Sequence, residues 1–88
     1  MIYLVTYDLK NPGKDYTSLH NTLKTASSWW HYLDSTWLIK TEQPVDYWSE
    51  KIRNVTDRND NFLIVDITHQ SRQGWLPKKA WHWIRMNE

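Results

Sequence analysis

Three groups of residues in this chain carry side chains capable of chemistry. The first is Thr6-Tyr7-Asp8-Leu9, an acidic residue where an apolar run stops beside a loop. A carboxylate there can bind Mg²⁺, and two copies of Asp8 across a dimer axis could share one ion and activate water against a phosphodiester. The competing role is a carboxylate that caps the next turn or pairs with a lysine. The second group is Trp29-Trp30-His31-Tyr32, followed by Trp37. Consecutive strand residues point to opposite faces, so one or two of this run are expected to be exposed. An exposed ring stacks on bases at roughly 1–3 kcal/mol each, whatever the base. His31 can donate to a phosphate or exchange a proton near neutral pH. The competing role places Trp30, Tyr32 and Trp37 in the core or a dimer contact. The third group is the tail, in which Arg72, Trp75, Lys78 and Lys79 precede Trp81-His82-Trp83-Ile84-Arg85. Interleaved cations and rings suit single-stranded nucleic acid or a nucleotide, through charge plus stacking. Alternatively the tail is an amphipathic helix that docks Trp81 and Ile84 on a sheet, with Lys78 and Lys79 in solvent.

Other chemistries are absent from the sequence. There is no cysteine, which removes disulfides, thiolate zinc sites and cysteine nucleophiles together. No glycine-rich phosphate loop, HExxH or GxSxG motif occurs, and His20, His31, His69 and His82 do not fall at metal-ligand spacings. A net charge of +1 argues against tight binding to long duplex DNA by charge alone. Seven tryptophans in 88 residues pose the central question, because a domain this small buries a thin core. Those rings either build that core or wait for a planar ligand.

The elements that must position these groups follow from periodicity. Ile2 to Leu9 is rich in β-branched and aromatic residues and stops at Lys10-Asn11-Pro12-Gly13, a strand and a turn. Asp15 can cap the next helix, where Tyr16, Leu19, Leu23 and Ala26 recur at helical spacing to an end near Ser27-Ser28. Trp30 to Thr41 reads as two strands folded at Asp34-Ser35. Pro44 then opens a helix carrying Val45, Trp48, Ile52 and Val55 on one face. Phe62 to Thr68 is the last strand, and Lys78 to Arg85 forms a short helix after Pro77.

The order βαββαβ predicts an α+β, ferredoxin-like antiparallel sheet over residues 1–68, with two helices on one face. Residues 69–88 form a basic, aromatic C-terminal segment with a short helix. Both faces of the first and last strands are largely apolar, whereas a sheet with one wet face alternates apolar and polar residues. Two helices cover one face, so the C-terminal segment or a second copy must cover the other; the expectation is a homodimer. Charge divides at the same boundary. Residues 1–68 carry seven basic and nine acidic side chains, and residues 69–88 carry four basic and one acidic.

The strand ending Thr6-Tyr7-Asp8-Leu9 and the hairpin Tyr32-Leu33-Asp34-Ser35-Thr36-Trp37-Leu38-Ile39 resemble a known group. It comprises the small ferredoxin-like CRISPR-adaptation proteins and the virulence-associated protein D ribonucleases. With Pro12-Gly13-Lys14-Asp15-Tyr16 and Trp30-His31-Tyr32-Leu33, the chain is more similar still to short phage and bacterial relatives of that group. The resemblance spans about residues 1–68 and implies a homodimer and, for some members, metal-dependent cleavage of RNA or DNA. Asp8 matches the group's metal-linked aspartate. The arginines that grip DNA in the adaptation proteins have no counterpart before residue 69.

The expected function is therefore a dimeric nucleotide- or nucleic-acid-binding protein, with Mg²⁺-dependent hydrolysis at Asp8 as its catalytic form. Alternatives are a phage counter-defence protein that sequesters a nucleotide second messenger without cutting it, and a protein-interaction module. No apolar run reaches the length of a membrane span, and the first residues read as a strand rather than a leader. The expected compartment is the cytoplasm, that of the host if the protein is phage-encoded.

Overall fold

In the computed structural model, which describes residues 1–11 and 15–88, the chain forms four strands and three helices. These are β1 (Ile2–Asp8), α1 (Thr17–Leu23), β2 (Ser28–Leu33), β3 (Thr36–Lys40), α2 (Val45–Arg53), β4 (Asn61–Asp66) and α3 (Lys78–Asn87). Pro12, Gly13 and Lys14, which belong to the predicted first turn and to the family resemblance, lie outside the described residues. The architecture is α+β, with one antiparallel sheet in the order β2-β3-β1-β4. β3 thus lies between β1 and β2, and β1 lies between β3 and β4.

The alternation of β1 decides which helix covers which face. Tyr3, Val5 and Tyr7 point to the side where α1 contributes Leu19 and Leu23 and α2 contributes Trp48 and Ile52. Seven residues of helix are too few to be stable alone in water. Burying Leu19 and Leu23, at roughly 1.5–3 kcal/mol each, holds α1 in place. α2 begins after Pro44, with Asp46 in its first turn and Lys51 and Arg53 in its last, signs that suit the helix dipole.

The opposite face holds Ile2, Leu4, Trp30 and Leu38, and α3 packs Ala80 and Ile84 against them. Of the two covers expected for this face, the C-terminal helix is present. It covers part of the face: Leu33, Leu63 and Val65 remain exposed. Register places Leu63 opposite Thr6 and Val65 opposite Leu4, on the α3 side of the sheet.

Several element ends differ from expectation, β2 beginning at Ser28 rather than Trp30 and α3 running to Asn87 rather than Arg85 among them, and two have a visible cause. α1 stops at Leu23 rather than near Ser27-Ser28. Thr25 N–H donates to the Thr22 carbonyl and Ala26 N–H to that of Leu23, tightening the last turn. Ser27 N–H then donates to the Lys40 carbonyl, which draws the chain into the sheet early. β4 stops at Asp66 rather than Thr68, because the Asp66 carboxylate accepts from both the N–H and the hydroxyl of Thr68. His69 follows in the left-handed region, at φ 55°. The N-cap position of α1 is Tyr16, without a side-chain cap, and Asp15 before it accepts from Thr17 N–H at 2.9 Å.

A buried carboxylate joins the loops at one end of the sheet. Asp60, 1% exposed, accepts from Lys10 N–H, the Tyr16 hydroxyl and Asp57 N–H. Arg53 donates to its carbonyl at 3.0 Å, bringing the end of α2 into the same arrangement.

Candidate functional site

β2 is an edge strand, so the run from Trp29 to Tyr32 is open along one side. Trp29 pairs with Ile39 and Trp30 with Leu38, which places the two indoles on opposite faces. Trp29 lies on the α1–α2 side with its ring 5.3 Å from Trp37 and the Lys24 ammonium 5.4 Å from its centroid. Trp30 lies on the α3 side and is 5% exposed. The pairing shifts between Trp30 and Leu33, an irregularity of the kind that re-aims side chains at a sheet edge. Tyr32, 74% exposed, has its ring 5.2 Å from that of Trp30.

His31 stacks on Trp37 with centroids 4.0 Å apart, and its Nε2–H donates to the Asp34 carbonyl at 3.0 Å. That bond leaves Nδ1 as the acceptor of the neutral ring. His20 of α1 stands 5.9 Å from His31 and 5.7 Å from Trp37. Burial, then the His31 and Lys24 charges, lower the pKa of His20.

α3 completes the site. Its stripe Lys79, His82, Trp83 and Met86 follows the spacing of one helix face and lines a cleft of about 570 Å³ with Trp29, Trp30, His31 and Tyr32. The Trp83 indole donates to Ser28 Oγ at 2.9 Å, and Asn87 donates to the Trp83 carbonyl at 2.7 Å. The first bond holds the helix against the start of β2, and the second stays within α3. The cleft therefore offers rings, one ammonium and two imidazoles, within the size range of small-ligand sites.

Five of the residues singled out in the sequence meet here: Trp29, Trp30, His31, Tyr32 and Lys79. Arg72 and Trp75 line a different, apolar groove of about 220 Å³ beside Trp30 and Leu33. Arg72 is ion-paired with Glu88, whose pKa is lowered first by that hydrogen bond. Trp75 is fully exposed. Lys78, at the first position of α3, is exposed and lines neither opening. His82 and Trp83, which belong to the basic, aromatic tail group, and Met86 and Asn87, which lie outside it, complete the cleft. The spacing from Lys79 carried the signal for the first three, since i, i+3, i+4 and i+7 share one face.

Asp8 stands elsewhere. It pairs across the sheet with Asn61 and shares a shallow cavity with Thr6, Tyr7, Phe62 and Leu63, none of which lines the β2–α3 cleft. Its carboxylate is exposed and ion-paired with the Lys10 ammonium. Among the described residues no three His, Asp or Glu side chains are grouped to hold a metal. A lone carboxylate already matched by a competing cation does not fit Mg²⁺ within one chain.

The chain matches no family model, no curated protein and no solved structure. Among the described residues no helix is long and apolar enough to cross a membrane.

Proposed function

We propose that this protein binds a nucleotide unit, free or at the end of a single strand, in the cleft between β2 and α3. The observation that carries this reading is the meeting of Trp29, Trp30, His31 and Tyr32 with Lys79 and His82 around one opening. Rings provide the stacking surface, and Lys79 with His82 provides the phosphate contacts. Binding without cleavage is favoured over hydrolysis, because Asp8 lines a separate cavity and is matched by Lys10.

The fold is read as a split βαβ, ferredoxin-like sheet, supported by the insertion of β3 into the β1-α1-β2 unit and of β1 into the β3-α2-β4 unit. The exposed Leu33, Leu63 and Val65 support a homodimer, in which a second copy covers what α3 leaves bare. Light scattering across a dilution series tests that assembly, and a strictly monomeric mass at high concentration would refute it.

Ligand binding is tested by thermal melting and tryptophan fluorescence with nucleoside monophosphates, cyclic dinucleotides and short RNA. A ligand at 100-fold excess over its Kd adds about 2.7 kcal/mol, upwards of about 10 °C in Tm for a domain of this size. No shift and no quenching with any of the three classes would overturn the reading.

A further inference from the structure

The C-terminal segment carries its excess positive charge in one element. Of its four basic side chains, Arg72 is paired with Glu88, the segment's one acidic side chain. Lys78, Lys79 and Arg85 remain, all of them exposed and all in α3, which holds no acidic residue. A face that is merely solvated mixes both signs. Two of the three cations also stand in the first turn of α3, the end that disfavours them, and no acidic side chain offsets them there. α2 has the ordinary arrangement, with Asp46 in its first turn and Lys51 and Arg53 in its last. Among the described residues none of the three forms an ion pair, so the local cost is one that an anion from outside relieves.

These cations have a definite place beside the cleft. Lys78, His82 and Arg85 follow i, i+4 and i+7 and share one stripe of the helix surface, about 10 Å long. His82 also lines the β2–α3 cleft, as does Lys79, whereas Lys78 and Arg85 do not. The stripe thus meets the cleft at His82 and extends beyond it at both ends. A mononucleotide brings its phosphate to the cleft and leaves Lys78 and Arg85 unmatched. A strand brings a phosphate with every nucleotide, and its backbone continues past the opening. A cationic track beside aromatic platforms is the general device that holds single strands whatever their sequence.

We infer that the ligand is a single strand of nucleic acid rather than a free nucleotide, with one nucleotide seated in the cleft and the adjoining backbone following Lys78 and Arg85 along the outward face of α3. This rests on the nucleotide reading of the cleft and names the ligand class that fits the charge around it. Tyr32 carries the face of the seated base, and Lys79 and His82 take its phosphate.

Tryptophan fluorescence titrations with AMP and with tetraadenylate RNA, each at several salt concentrations, test the inference. The tetramer is expected to bind about tenfold tighter than AMP or more. Its log K is expected to fall with log salt at a slope of about −2, three phosphate contacts at roughly 0.7 each. The double variant Lys78→Gln, Arg85→Gln is expected to bring that slope to about −0.7 and the tetramer's affinity close to that of AMP. AMP affinity and Tm are expected to stay as they are in the variant, because both side chains are exposed and lie outside the cleft. A tetramer that binds no tighter than AMP, or that keeps its slope in the double variant, would overturn the inference and leave the nucleotide reading standing. Failure of AMP and the tetramer alike to bind would overturn both. Phosphatidylglycerol vesicles that bind as tightly as the tetramer, with the same loss in the double variant, would overturn the inference in favour of an anionic membrane surface.

Discussion

His31 lies flat on Trp37, with ring centroids 4.0 Å apart and planes inclined by 13°. The stack fixes the β2 histidine on the α1–α2 side of the sheet, where His20 approaches both rings. Trp30, the residue before it, serves the other side. One short stretch of edge strand thus contributes to two aromatic layers, and α3 brings Lys79, His82 and Trp83 to that edge.

The His20 environment makes stability depend on pH above the carboxylate range. Its folded-state pKa lies below the ordinary 6.5 because of burial first, with the His31 and Lys24 charges adding to the effect and Asp15 opposing it. The unfolded chain therefore takes up a proton first as the pH falls. Stability present above pH 6.5 declines from there down through the lower folded value. We expect the Tm to fall as the pH drops below 6.5, and His20→Gln to flatten that fall. An unchanged slope in the variant would exclude His20 as its source.

Asp60→Ala removes the acceptor shared by Lys10 N–H, the Tyr16 hydroxyl and Asp57 N–H. Donors left unpaired at a buried site cost about 1–3 kcal/mol each, so a loss of about 2–4 kcal/mol is expected in urea denaturation. A loss under 1 kcal/mol, on that same principle, would show that the loops hold without it.

Lys79→Ala is expected to weaken nucleotide binding about tenfold and to flatten its salt dependence, because the ammonium lines the cleft without a role in the core. Trp75→Ala serves as the contrast. Its indole is fully exposed and lines the other groove, so stability should change by under about 0.5 kcal/mol and cleft affinity should not change. Titrations of the two variants side by side check both statements.

Asp8→Ala is expected to leave nucleotide affinity as it is, since Asp8 and the cleft share no lining residue. Incubation of labelled RNA and DNA with Mg²⁺ should show no cleavage by either protein. Cleavage by the unaltered chain that disappears in Asp8→Ala would instead establish the hydrolytic form, with the second carboxylate supplied by another copy.

Much of the element order was legible because its signals are local. β-branched runs marked β1 and β4, Asp34-Ser35 marked the hairpin, and Pro44 and Pro77 stand at the starts of α2 and α3. Element ends were less legible. α1 is cut short when Ser27 bonds to Lys40, and β4 turns away when Asp66 captures Thr68, contacts that depend on where the chain returns in space.

The seven tryptophans were countable from the sequence, and strand alternation alone required Trp29 and Trp30 to face opposite ways. Their division between core and cleft belongs to the tertiary structure. Trp37 and Trp48 are buried between sheet and helices, and Trp83 is tied to Ser28 at the β2 edge. Trp75 is left in solvent, while Trp30 is buried with its donor unpaired. Composition records how many rings a chain has. Only the packing of α1 and α2 on one face and of α3, through Ala80 and Ile84, on the other decides which of them are buried and which stay in solvent.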